Sequence, residues 1–368
     1  MQVRLPLGAL RCEFCTADHP KEMIEVFEKP DAACCQRLRN DLTSLGHLLV
    51  EHDPRWLTVL NAGLGQRPYL LLDRSSDGNL CGYLPLALVS GRLFGRFLVS
   101  LPYLNHCGVV SNNVKTSMAL IDAAVKLADR LDVQYLELRH LNPVPSDQLV
   151  VQRDDKSLMI LDLPSGKKDL WSVIGSKVRN QIRKGQKNDL SIIWGGQELI
   201  GEFYNVFAIN MRDLGTPVYP RRLFSLMMMQ FKQAAEIAVV RYGDRPVAGA
   251  LLITMGGTTQ VPSASSLRSY AATCANMWMY HQLLCRAIDR GSRRFDFGRS
   301  SEGSGTYRFK EQWGAKPLAT VWQYYVRRGD INIARPNSPK FKRRIAFWQR
   351  LPVWMTRLIG PPIIRGIP

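Results

Sequence analysis

The densest run of chemically useful side chains lies between Phe297 and Gly314, in Phe-Gly-Arg-Ser-Ser-Glu-Gly-Ser-Gly-Thr-Tyr-Arg-Phe-Lys-Glu-Gln-Trp-Gly. A polar, glycine-bearing loop leaving a strand lets the backbone approach a ligand closely, and this one presents Arg299, Tyr307, Arg308, Lys310 and Trp313. A second concentration spans Lys177 to Lys187. At about 100° per residue, Trp171, Ile174, Val178 and Ile182 make one buried helical stripe, and Lys177, Arg179, Arg183, Lys184 and Lys187 occupy the opposite face. Guanidinium forks and lysine point charges suit phosphate oxygens. The plainer readings are a surface loop and a solvated helix face.

Other chemistries are missing. Gly298, Gly303 and Gly305 lack the G-x-G-x-x-G spacing, and the chain has neither a P-loop nor a G-x-S-x-G elbow nor an H-E-x-x-H pair. Hydrolase chemistry is therefore not expected. His281, beside Tyr280 in a helical stretch, reads as a packed histidine. Cys12-x-x-Cys15 is followed by Cys34 and Cys35 rather than by a second spaced pair, so no metal site and no resident cofactor are expected.

The elements that must position these residues come in a repeated order. Tyr69 to Arg74 and Leu80 to Val89 read as a hairpin, Ser117 to Leu131 as a helix and Val133 to Leu138 as a strand. In the second half Ile237 to Tyr242, Val247 to Met255, Met277 to Arg290 and Arg294 to Phe297 repeat hairpin, helix and strand. Asp77 to Gly82 lies over Asp244 to Gly249, and Leu131 to Arg139 over Gly291 to Arg299. So long a period means a duplicated domain, not a solenoid.

With 368 residues, 46% apolar and 22% charged, the chain has the material of two globular domains and not of a disordered tail, collagen or coiled coil. Its net charge of +18 points to an anionic partner. Residues 1–165 hold 17 basic and 19 acidic groups, against 32 and 12 in residues 166–368, so the excess lies wholly in the second half. The N-terminus shows no signal-peptide pattern, and the longest apolar run, Leu93 to Val110, is broken by Arg96, Pro102, Asn105 and His106. A cytoplasmic protein with reduced cysteines is expected.

Lys177 to Lys184, Asn210 to Pro220, Arg294 to Arg299 and Gly305 to Gly314, with His52 to Trp56 and Ser100 to Asn105, resemble the FemAB proteins. The similarity covers about residues 50–368 and is to the subgroup associated with exosortase/PEP-CTERM and exopolysaccharide systems. It implies an α/β (α+β) fold of two tandem GNAT-like domains, expected at 1–165 and 166–325, with a basic, Trp-containing tail at 326–368. It also implies N-acyl transfer, since FemABX enzymes move an amino acid from aminoacyl-tRNA to an amine of a peptidoglycan precursor. Both substrates are polyanions, which suits the basic half. Acyl-CoA is the alternative donor, although the R/Q-x-x-G-x-G/A turn that holds its pyrophosphate is not found before Met277. A non-catalytic, membrane-associated binding protein of the polysaccharide machinery is the third reading.

By motif match, Lys310 and Phe309 lie at the acyl donor as the catalytic pair, and Lys177, Arg179, Arg183 and Lys184 hold precursor phosphates. Arg299 and Tyr307 join the substrate site, and Tyr103 and Asn105 line the first-domain pocket. The tail mixes cations with Phe347, Trp348, Trp354 and Leu358. It reads equally as a helix on an anionic inner-leaflet surface, suited to a lipid-linked acceptor, and as a helix packed on the second domain.

Overall fold

The computed structural model describes residues 24–329, apart from 47, 92, 154 and 155, and residues 339–368. Cys12, Cys15, the N-terminal segment and residues 330–338 of the tail lie outside the described residues.

The first half runs β1 (Glu25–Glu28), α1 (Ala32–Ser44), α2 (Arg55–Leu64), β2 (Arg67–Arg74), β3 (Leu80–Gly91), β4 (Gly95–Val99), β5 (Val110–Ser111), α3 (Val114–Arg130), β6 (Tyr135–His140) and β7 (Val150–Arg153). Then follow β8 (Lys156–Asp162), α4 (Lys167–Val173), α5 (Ser176–Gln186), β9 (Leu190–Gly195), α6 (Ile200–Leu214), α7 (Arg221–Phe231), β10 (Ala235–Tyr242) and β11 (Arg245–Met255). The chain ends with β12 (Thr258–Ser266), α8 (Ala275–Asp289), β13 (Arg294–Ser301), α9 (Gly305–Glu311), β14 (Lys316–Ala319), β15 (Val321–Val326), α10 (Pro339–Trp348) and α11 (Val353–Ile364).

These strands form two sheets with one plan. The orders are β1-β2-β3-β4-β6-β15-β7 and β9-β10-β11-β12-β13-β8-β14, with β5 added beside β3. Hairpin β2–β3 takes the place that β10–β11 takes in the second sheet. The crossover helices α3 and α8 each connect a parallel pair, β4 with β6 and β12 with β13. Local chemistry sets the ends: the Asn113 side chain caps α3 by accepting from Thr116 N at 2.8 Å, and Leu120, Ile121, Ala124 and Leu127 turn its apolar face inward.

The halves exchange strands. The sixth place in the first sheet is held by β15, and the sixth place in the second by β8. Residue 165 therefore follows a strand that already belongs to the second sheet, and residues 321–326 return to the first. The charge balance marked a boundary 165/166 because solvent-facing residues change there, but main-chain pairing decides sheet membership and leaves no trace in composition.

One core is shared. Trp56, Tyr83 and Leu104 from the first half pack with Phe203, Phe224, Phe231 and Leu251 from the second. A Cβ on Gly63 of α2 would lie 2.8 Å from Leu223 Cδ1 on α7, so these helices meet at a glycine. The stretch His52 to Trp56 belongs to this junction: buried Asp53 pairs with Arg55 and Arg39, the His52 carbonyl accepts from Tyr83 Oη at 2.7 Å, and Trp56 Nε1 donates to Val50 O at 2.7 Å.

The tail also packs. Gln349 Nε2 donates to Asp213 O at 3.0 Å, Arg212 Nη1 to Leu351 O at 3.2 Å, and Thr356, Gly360 and Ile364 are buried. No helix among the described residues is long and apolar enough to cross a membrane.

Candidate functional site

The parallel strands β12 and β13 are paired only over Thr258–Gln260 and Arg294–Asp296. Beyond that point they part. On its other side β13 bulges, its pairing with β8 jumping from Asp296 to Arg299, and Gly298 takes a left-handed φ of 77°. The bulge leaves main-chain groups to be satisfied by side chains. Asp296 Oδ1 accepts from Gly298 N at 2.6 Å, and Lys310 Nζ donates to Gly298 O at 2.9 Å and to Arg299 O at 3.2 Å. Lys310 is delivered by α9, whose first turn is capped by Ser304 Oγ accepting from Tyr307 N at 3.1 Å.

Burial pulls the Lys310 pKa down to about 8, further lowered by Arg299 and only partly opposed by Asp296. Two of its three N–H donors are held by the bulge carbonyls. A Cβ on Gly298 would stand 3.4 Å from Asn105 Nδ2 and 3.9 Å from Lys310 Nζ. Asn105 of the first half and Lys310 of the second thus meet across one bare glycine.

Asn105 sits on the segment Leu101–Cys107, which Arg139 holds by donating to the carbonyls of Pro102 and Leu104 at 2.6 and 2.7 Å. Arg139 is itself paired with buried Glu137 at 2.7 Å. On the same segment Tyr103 Oη lies 3.0 Å from Ser263 Oγ of β12, and its ring packs on Trp56 and Tyr219. The segment therefore touches both strands that part. Arg139 and Arg299 both lie over the Trp322 ring of β15, at 4.2 and 3.8 Å.

At the apex of the parting is a buried polar cluster that sequence reasoning missed. Gln260 Nε2 donates to Glu51 Oε1 at 2.8 Å and to Asp296 Oδ2 at 3.0 Å, and His106 Nε2 lies 3.2 Å from Glu51 Oε1. Burial alone would raise Glu51, but His106, His52 and a backbone hydrogen bond together outweigh it and hold the carboxyl at about 2. Burial would lower His106, but the Glu51 carboxylate raises it; Asp296 is raised by burial and by Glu51. Beside the cluster lies a cavity of about 310 Å³, lined by Glu51, His106 and Asp296 and by aliphatic residues such as Leu49, Leu158 and Ile160. Positions 51, 106, 260 and 296 share no spacing that a sequence pattern could reveal.

The other expected site residues are distributed differently. The stretch from Phe297 to Gly314 is no open loop: β13 continues to Ser301, and α9 fills Gly305–Glu311. Phe309 is held by aromatic packing, 5.0 Å from the Tyr280 ring and 6.4 Å from Trp313, and half-buried Tyr307 joins the same cluster. The stripe from Trp171 to Ile182 is not one helix, because Ile174 and Gly175 are extended and separate α4 from α5. His281 packs edge-on against Trp171, with burial lowering its pKa.

Arg179 is committed to that break. Its Nη1 donates to the carbonyls of Trp171, Ser172 and Ile174 at 3.3, 3.5 and 2.5 Å, satisfying the open end of α4. Lys177, Arg183 and Lys184 are exposed on α5, with Arg183 against Asn180 and 5.4 Å from the Trp171 ring. Arg179→Ala should therefore lower stability by about 1 kcal/mol, and Arg183→Ala should leave the thermal midpoint unchanged. Equal midpoints for the two variants in a thermal melt would refute this division of roles.

Residues 176–311 match the family model described as the acetyltransferase (GNAT) domain. The chain has the tandem GNAT fold. The crystal structure of FemX superposes with a TM-score of 0.58 at 13% identity, covering 82% of this chain and 97% of that one. L-PGS from Bacillus licheniformis gives 0.52 at 14% identity, covering 91% and 99%. A tandem GNAT protein from the clavulanic acid biosynthesis pathway gives 0.51 at 11% identity, covering 84% and 100%. Among curated proteins none matches in sequence. Within the matched GNAT domain lie the parting of β12 from β13, Lys310, Arg299, Phe309 and the cationic face of α5.

Proposed function

We propose that this protein is an N-acyltransferase that moves an aminoacyl or acyl group from an activated ester to an amine of an anionic cell-envelope precursor, related to peptidoglycan or exopolysaccharide. The observation that carries the reading is the buried ammonium of Lys310 at the bulge of β13, with Asn105 on the other side of Gly298. In such a transfer the amine nitrogen bonds to the carbonyl carbon, the ester bond to the leaving group breaks, and negative charge develops first on the carbonyl oxygen and then on the leaving atom. A lysine whose pKa lies near 8 stabilises that charge, passes its proton to the leaving atom, and regains one from the attacking amine. No covalent enzyme intermediate is needed, in keeping with the missing nucleophile elbow.

In this reading Lys177, Arg183 and Lys184 hold the precursor phosphates, while Arg179 and Phe309 position α5 and α9 without touching substrate. Tyr103, Asn105, Arg299 and Tyr307 bound the acceptor side. The donor is aminoacyl-tRNA, as the FemAB motifs and the FemX-like fold suggest. Acyl-CoA is the second reading, favoured by the GNAT match. Against it, the segment before α8 is a short 3₁₀ helix, Arg268–Thr273, without glycine. The resemblance to the exosortase/PEP-CTERM-associated subgroup favours an exopolysaccharide-related, lipid-linked acceptor reached from the cytoplasmic side.

Mass spectrometry of the molecules that copurify with the full chain, followed by transfer assays with labelled aminoacyl-tRNA and acyl-CoA, tests this. Bound RNA and label transfer from aminoacyl-tRNA are the expected result. Transfer from acyl-CoA alone would move the donor to the second reading, and no transfer from either would leave a binding protein.

A further inference from the structure

The C-terminal helices pack on the rest of the protein and also leave apolar side chains on the outside. On α11, Thr356, Gly360 and Ile364 are buried, and a Cβ on Gly360 would come within 2.8 Å of Val218 N. At its end Gly366 meets Gly91 of the first half. On the opposite side of the helix Trp354, Leu358, Pro362 and Arg365 follow one another at the spacings of a single face. Trp354 is 66% exposed and Leu358 68%, and Phe347 of α10 adds another ring at 66%. A helix that is apolar on both sides, with one side already buried in protein, has a second apolar phase as its natural environment.

The surrounding charge specifies that phase. Arg343, Arg350 and Arg365 are exposed around these side chains, and the chain contains no Asp or Glu after Asp330. Aromatic and leucine side chains ringed by arginine suit the boundary between acyl chains and anionic headgroups. Trp348, by contrast, is buried and faces the protein. We infer that the outer face of α10 and α11, centred on Phe347, Trp354 and Leu358, docks this protein on an anionic lipid bilayer. The packing on Val218 and Gly91 then fixes the orientation of both sheets relative to the membrane plane. The inference goes beyond the transfer reading and depends on none of its residues.

Flotation of the full chain with phosphatidylcholine vesicles, with and without phosphatidylglycerol, tests it. The chain should float with the phosphatidylglycerol vesicles and Trp fluorescence should shift to the blue; Trp354→Phe should remove most of that shift. Trp354→Ser with Leu358→Ser, both on the solvent side, should weaken binding roughly tenfold or more with an unchanged thermal midpoint. Arg343→Glu, Arg350→Glu and Arg365→Glu together should weaken it about as much and abolish the preference for phosphatidylglycerol. Wild-type protein that stays with the soluble fraction, or variants that float like wild type, would overturn the proposal. So would a dimer in light scattering that the serine pair converts to monomer, because the face would then bind a second copy of the chain.

Discussion

Lys310→Met should lower acyl transfer by roughly a hundredfold or more while leaving acceptor affinity close to wild type. Methionine keeps the stem and removes the ammonium that donates to the bulge carbonyls of Gly298 and Arg299. If the ammonium acts on charge that exists only in the transition state, its loss falls on kcat, whereas Arg183→Ala should raise KM with kcat nearly unchanged. A purely structural lysine would also lose activity through a collapsed bulge, so the pH profile decides. With its pKa near 8, the active ammonium is lost as pH rises through that value, and wild-type kcat should decline there. The Met variant should lack this alkaline limb. Two carbonyls left without a donor cost about 1–3 kcal/mol each at most, so the variant should fold with a lowered thermal midpoint. A Met variant that transfers normally, or that keeps the alkaline limb, would reduce Lys310 to a tie between α9 and β13.

The duplication was legible because hairpins and crossover helices are written in local periodicity, and β2–β3, α3, β10–β11 and α8 lie within a few residues of where that periodicity placed them. The strand exchange was not. Nothing in Lys156–Asp162 or Val321–Val326 distinguishes a strand that pairs with its own half from one that pairs with the other, since pairing uses main-chain groups common to all residues. Helix α9 carried a readable sign, Ser304 three residues before Tyr307, which the surrounding glycines obscured. The burial of Lys310 had no sign at all, because lysine is ordinarily exposed and only the bulge at Gly298 gives it carbonyls to meet. Likewise, a cationic face read from angular spacing cannot tell Arg179, used up on the end of α4, from Arg183, which remains outside.

Glu51→Ala should destabilise the protein by about 3–5 kcal/mol. It removes the carboxylate that accepts from Gln260 and pairs with His106, both buried, and leaves a histidine cation with one fewer counter-charge. The sign of its pH dependence follows from the two shifts. Glu51 is held at about 2 against an ordinary 4.5, so its contribution is full above 4.5 and disappears as pH falls toward 2. His106 is raised above 6.5, so its contribution is full below 6.5 and disappears as pH rises through the raised value. Wild-type stability from this pair is therefore greatest between about 4.5 and 6.5, and the Ala variant should lose both flanks as well as the plateau. Urea unfolding across this range measures it, and equal stabilities or superimposable pH profiles would sink the idea. The consequence extends to the site, because Glu51 and His106 come from the first half and Gln260 and Asp296 from the second. Asp296, tied through Gln260 to Glu51, also accepts from Gly298 N and so shapes the bulge that holds Lys310. Loosening the cluster should lower transfer even at temperatures where the variant stays folded, and Glu51→Gln, which keeps the shape and one acceptor, should recover part of both the stability and the rate.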